Sequence, residues 1–108
     1  MPFLYWEVID LRAENAEGML TIFLAGEIDA QNAAAVQKEI EAYLERRGTA
    51  AVVFDAKDLS YISSAGLRVL LAAQKEVGKK ISVAHLRPEV LEIFKMAGIQ
   101  MLMDIKGS

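Results

Sequence analysis

The chain has 108 residues, of which 54% are hydrophobic and 25% are charged, a composition that predicts one compact domain over residues 1–108 and excludes a disordered chain. The net charge of −3 argues against a nucleic-acid surface, which needs clustered Lys and Arg. Cysteine is absent, which excludes disulfides and thiolate metal sites and favours a cytoplasmic protein. Neither a membrane span of ~18 consecutive apolar residues nor a basic signal leader is expected.

The order of apolar patterns predicts an opening hairpin followed by alternating helices and strands. Aromatic and β-branched runs predict strands, and apolar residues spaced by three, four and seven predict helices. The predicted elements are a strand over 3–11, a polar turn over 13–18, a strand over 19–26 ending at Gly26, a polar link over 27–32, a helix over 33–47, a strand over 50–56, a loop over 57–64, a helix over 65–77, a strand over 79–86, a helix over 88–97 and a strand over 99–105.

This order, β-β-α-β-α-β-α-β, predicts an α/β fold. Strands that alternate with helices form a mostly parallel sheet with right-handed crossovers, and the opening hairpin makes that sheet mixed, with four or five strands. The run over 50–56 does not alternate, which is typical of a strand covered on both faces. Partners of such sheets meet loops at the carboxyl ends of strands. Two such loops are GEIDAQN, residues 26–32, and KDLSYISSAG, residues 57–66.

Two serines, Ser63 and Ser64, stand where a strand precedes a predicted helix. Serine hydroxyls are favoured helix caps. A catalytic serine needs an oriented base, but the only histidine, His85, lies at the end of a different strand, and the segment lacks the G-x-S-x-G elbow. A third interpretation is phosphorylation, because a helix N-terminus tolerates a phosphate whose charge weakens binding of an acidic partner. The residue types alone leave capping and phosphorylation open and disfavour catalysis.

The segment VVFDAKDLSYISSAGLRVLL, residues 52–71, resembles the signature of the STAS domain family, specifically that of the bacterial anti-sigma factor antagonists. LAGEIDAQNA, residues 24–33, is similar to the first loop of that family. The matching positions are Phe54-Asp55, Asp58-Leu59-Ser60, Tyr61-Ile62, Ser64-Ala65-Gly66-Leu67 and Gly26-Glu27-Ile28-Asp29. The resemblance covers nearly the whole chain and implies a STAS-like single domain that is not an enzyme and carries no metal or cofactor.

Antagonists of this kind bind an anti-sigma factor that is also a serine kinase. The kinase phosphorylates the serine after the family's Asp, and a phosphatase resets it. By position that serine is Ser64; Ser63, which replaces the family's Asp, is the alternative acceptor. Arg68, which replaces a small residue, is expected to pair with the phosphate. The expected partner-binding residues are Gly26, Glu27, Asp29, Asn32, Ser60, Ser63, Ser64, Ala65, Gly66 and Arg68, on a monomer or weak dimer that binds neither nucleic acid nor membrane.

Several residues keep two interpretations. Asp29 either contacts the kinase or caps a helix, and Asp55 either supports the serine loop or holds loop amides. Met96, Met101 and Met103 are expected to fill the core. Tyr5 and Trp6 are expected to pack in the core or at a sheet edge. The rival function is a non-phosphorylated STAS scaffold or ligand-binding module, for example a subunit of a transporter or a signalling complex.

Overall fold

The computed structural model describes residues 11–108. Apart from Leu11, the strand predicted over 3–11, with Tyr5 and Trp6, lies outside the described residues. The elements are β1 Arg12–Ala16, β2 Met19–Ile28, α1 Ala33–Glu45, β3 Ala51–Ile62, α2 Ser64–Val77, β4 Ser82–Leu86, α3 Pro88–Met96, a 3-10 turn Ile99–Met101 and β5 Asp104–Gly107. No helix among them is long and apolar enough to cross a membrane.

The five described strands form one sheet in the order β1-β2-β3-β4-β5. β1 pairs with β2 antiparallel, and every later pair is parallel, which confirms the mixed, mostly parallel α/β fold. The three helical crossovers all move in the same direction across the sheet, so right-handed connections place α1, α2 and α3 on one face.

Burial within β3 follows from this one-sided layer. Val52, Phe54 and Ala56 are buried, whereas Val53 and Asp55 are half-buried. Side chains alternate between the two faces of a strand, so the buried set faces the helices. The other face of β3, which was predicted to be covered as well, is only half-buried at Val53 and Asp55.

The predicted hairpin is present, but its turn is shorter than expected. Residues 13–16, which were predicted as a turn, form most of β1, and Ala16 pairs with Met19. Only Glu17 and Gly18 connect the strands, and both have positive φ, of 55° and 77°, as a two-residue turn of type I′ requires. β1 has a polar sequence because it lies at the end of the described sheet and its side chains are mostly exposed.

β2 and β3 extend further than the sequence predicts. β2 continues past Gly26 to Ile28, and β3 includes residues 57–62, which were predicted as a loop. Register shifts between Phe23 and Ala25 and between Gly26 and Glu27 interrupt the regular alternation, so the pattern that normally identifies a strand is lost there. Both strands consequently end together, next to the starts of α1 and α2.

The C-terminal segment also differs from its prediction. Residues 99–101 form a 3-10 turn after Gly98, which has a φ of 76°, and β5 begins only at Asp104. Met103 fills the core at 1% exposure, as expected, but Met96 and Met101 are 81% and 78% exposed. The expectation that all three methionines are core residues is therefore wrong for two of them.

Candidate functional site

The two predicted partner loops meet at the carboxyl ends of β2 and β3. Ser63 donates its backbone N–H to the carbonyl of Ile28 at 2.8 Å. Ser60 donates its hydroxyl to the carbonyl of Gly26 at 3.1 Å. The two loops meet because β2 and β3 are neighbours in the sheet, which the sequence does not determine. This neighbourhood places the start of α2 against the end of β2.

Gly66 makes this close approach possible. A Cβ atom at this position would lie 2.6 Å from a side-chain carbon of Ile62 and 2.8 Å from one of Ile28. Real Cβ atoms do not come so close to other heavy atoms, and a packed core resists added methyl groups. The first turn of α2 therefore rests directly on the two strand ends, and Gly66 acts through this packing because it is itself buried.

Ser63 and Ser64 have different environments at the start of α2. Ser63 is the N-cap, half-buried, and its hydroxyl oxygen accepts the Gly66 N–H at 3.3 Å. Ser64 is the first helical residue and is exposed. Arg68 follows it by four residues and is also exposed, so the two side chains lie on one helix surface. Ser63 therefore caps the helix, and Ser64 is the serine that is accessible to a partner.

The turn before α1 is held by the side chains of Asp29 and Asn32, each of which accepts the backbone N–H of the other residue. The Asp29 carboxylate accepts the N–H groups of Gln31 at 2.9 Å and Asn32 at 3.2 Å. The Asn32 side chain accepts the Asp29 N–H at 2.9 Å and donates to the Glu27 carbonyl at 2.8 Å. Asp29 is half-buried, while Glu27 is exposed. Asp29 therefore shapes the loop, and Glu27 presents its carboxylate to solvent.

Asp55 lies apart from the serines. Its carboxylate accepts the Lys57 N–H at 3.0 Å and contacts His85 Nδ1 at 3.2 Å. Asp55 precedes Ile62 by seven residues of the extended strand β3, a span of roughly 20 Å at about 3.3 Å per residue. Asp55 therefore holds a local amide, which is the second of its two interpretations. His85, which contacts Asp55, lies too far from Ser64 to act as its general base.

A groove next to the serines contains residues that the sequence prediction missed. It has a volume of about 400 Å³ and is lined by Tyr61, Ile62, Ser63, Ser64, Leu67, Ile93, Met96 and Ala97. Tyr61 is 44% exposed and Met96 81% exposed. The sequence does contain a feature that indicates these residues. The buried face of α3 contains Val90 and Phe94, and the apolar stripe of the helix is wider than this face because it also includes Ile93 and Met96.

Similar proteins are known for this chain. A Bordetella bronchiseptica protein, BtrV, provisionally named an anti-sigma factor antagonist, is 33% identical over 91% of this chain and 86% of its own length. The anti-sigma-B factor antagonist of Listeria monocytogenes is 31% identical over 82% of this chain and 79% of its own. The crystal structure of an anti-sigma factor antagonist from Mycobacterium paratuberculosis has the same fold, with a TM-score of 0.83 at 23% identity, over 94% of this chain and 88% of that one.

The predicted family is also supported over almost the full sequence. The STAS domain model matches residues 10–108, a range that contains both partner loops and the serine turn. The two curated relatives exceed 30% identity over at least four-fifths of the chain. The chain therefore belongs to the STAS domain family.

Proposed function

We propose that the protein is an anti-sigma factor antagonist: it binds an anti-sigma factor that is also a serine kinase, and phosphorylation of Ser64 ends this binding. One observation carries the proposal, namely the exposed Ser64 at the first position of α2, beside the end of β2. The names of the Bordetella and Listeria relatives support the same role. A phosphatase that removes the phosphate would restore binding.

Ser64 is a better phosphate acceptor than Ser63 because its hydroxyl is accessible. A kinase must surround the hydroxyl that it modifies, and Ser64 is exposed. Ser63 is half-buried and its hydroxyl oxygen accepts the Gly66 N–H, so its modification would disturb the helix cap. A phosphate on Ser64 would lie near the positive end of the α2 dipole and within reach of Arg68 one turn later.

The proposed partner surface combines the two strand ends. The end of β3 and the first turns of α2 contribute Ser60, Ser63, Ser64, Ala65, Gly66 and Arg68. The end of β2 and the start of α1 contribute Gly26, Glu27, Asp29 and Asn32. Gly66 and Asp29 contribute by fixing backbone, as their packing and hydrogen bonds indicate. The exposed groups Glu27, Ser60 and Arg68 make the direct contacts.

The test is phosphorylation by purified anti-sigma factor kinases from the same genome, with Mg-ATP, followed by peptide mass mapping. Wild type and Ser63→Asn should carry phosphate on Ser64, and Ser64→Ala should carry none on this peptide. Ser63→Asn is the matched control, since Asn lacks a hydroxyl but still caps a helix. Ser64→Asp should bind the kinase at least tenfold more weakly than wild type while it unfolds at the same temperature.

Two results would contradict the proposal. One is that the kinases are active, because each phosphorylates its known antagonist, but none of them modifies Ser64. The other is a Ser64→Asp variant that binds its kinase with wild-type affinity. Binding without any phosphorylation would favour the rival function, a non-phosphorylated scaffold.

A further inference from the structure

An uncharged groove opens beside Ser64, and its far wall is α3, which has no place in the proposed phosphorylation site. We propose that this groove binds an amphipathic helix of the anti-sigma factor through two or three large apolar side chains. The inference rests on the proposed function and deepens it, because it names the part of the partner that the antagonist recognises and the way the phosphate prevents that contact.

The chemistry of the lining selects an apolar occupant. None of its eight residues is charged, and apolar surface is presented by the exposed Tyr61 and Met96 and the half-buried Ile93. Single exposed apolar residues are ordinary on a protein surface, whereas several in one concavity indicate an interaction site. Methionine adapts to irregular partner surfaces because its side chain is unbranched and polarizable. Met96, at 81% exposure, is the most accessible of these contacts.

The shape of the groove favours a helix over a small molecule. Small-molecule sites enclose most of their ligand, whereas this groove is open to solvent. Its walls are the end of β3, the start of α2 and the last turn of α3, and its volume of about 400 Å³ exceeds that of one side chain. Apolar anchors spaced along one face of a helix fill such grooves in other complexes.

The position of the serines indicates which protein supplies that helix. Ser63 and Ser64 line the end of the groove, so a kinase that reaches the Ser64 hydroxyl must cover the adjoining apolar surface. The same contact explains the switch. A phosphate at this end carries about −1.5 to −2 charges and would have to lose its water beneath an apolar helix. Phosphorylation therefore opposes occupation of the groove directly.

The experiment measures the dissociation constant of the anti-sigma factor kinase for two matched variants. Met96→Glu places a carboxylate in the groove. Met101→Glu introduces the same charge at a methionine that is 78% exposed and outside the lining. Met96→Glu should weaken binding at least tenfold, and Met101→Glu should leave it within twofold of wild type. Both variants should unfold at the wild-type temperature, because neither side chain is part of the core.

Three other results would overturn the inference. Equal binding by Met96→Glu and wild type would reject the groove and leave the proposed function intact. Failure of the wild type to bind any anti-sigma factor of the genome would reject both. A wild-type dimer that Met96→Glu converts to monomers, with kinase affinity unchanged, would assign the groove to a second copy of this chain. Sedimentation of each variant alone distinguishes this last case.

Discussion

Ser63 and Ser64 are neighbours with the same side chain, yet they should contribute differently to stability. Ser63→Ala removes the acceptor of the Gly66 N–H, and the loss of such a cap costs about 1 kcal/mol. Ser64→Ala changes an exposed side chain and should alter the free energy of unfolding by less than about 0.5 kcal/mol. Urea denaturation of both variants checks the difference. Equal effects would show that Ser63 does not cap α2 in solution.

Gly66 sets the distance between α2 and the two strand ends. In Gly66→Ala the new methyl group would meet Ile62 and Ile28 at 2.6 and 2.8 Å, and overpacking of this kind costs about 1–3 kcal/mol. The matched control is Gly107→Ala, where the nearest atom is a flexible Leu91 carbon at 3.3 Å. Chemical denaturation should show a loss at position 66 that is clearly larger than the loss at position 107. A stabilised Gly66→Ala, as expected from helix propensity alone, would contradict this packing.

At the scale of the elements, Asn32 joins the start of α1 to the end of β2. Asn32→Ala removes the acceptor of the Asp29 N–H and the donor to the Glu27 carbonyl, and two such bonds stabilise a fold by about 1–3 kcal/mol. Hydrogen exchange should become faster at the Asp29 amide. The Ser63 amide should keep its protection, since its acceptor is the Ile28 carbonyl.

A control on the same helix separates this local effect from a general loss of helicity. Gln37→Ala removes an exposed side-chain hydrogen bond to Glu41 and should change the free energy of unfolding by less than about 0.5 kcal/mol. If Asn32→Ala is equally mild, the reciprocal cap with Asp29 does not stabilise the loop.

The sequence predicted elements well where apolar periodicity was regular. α1 and α2 lie within one or two residues of their predicted bounds because Val36, Ile40 and Leu44, or Leu67 and Leu70, repeat at helical spacing and are buried. The ends of β2 and β3 could not be predicted in the same way. Register shifts near Gly26 leave Leu59 and Ile62 buried three residues apart, a spacing that matches neither strand alternation nor a turn.

The site was predictable only in its local parts. The serine turn and the 26–32 loop are short contiguous motifs, and both could be found by reading along the chain. Their contact depends on β2 and β3 being neighbours, which local pattern does not encode. The groove combines Tyr61 of β3 with Met96 of α3, 35 positions apart in sequence, so that only the packing of α3 against β3 brings them together.

At the scale of the whole molecule, two physical effects could make a phosphate on Ser64 prevent binding. The protein carries a net charge of −3, and a phosphate adds about −1.5 to −2, so long-range repulsion of an acidic partner is one effect. The other is the loss of hydration beneath the partner helix that we propose for the groove. Salt separates them, because the Debye length falls from about 10 Å at 0.1 M to about 3 Å at 1 M.

We expect the hydration effect to dominate, because Ser64 lines an uncharged groove. The ratio of the dissociation constants of Ser64→Asp and wild type for the kinase should then change by less than about threefold between 0.1 M and 1 M salt. Arg68→Glu is the control for screening: its side chain is exposed outside the groove lining, so any effect that it has on binding should shrink as salt rises. A Ser64→Asp penalty that disappears at 1 M salt would instead assign the switch to charge repulsion across the interface.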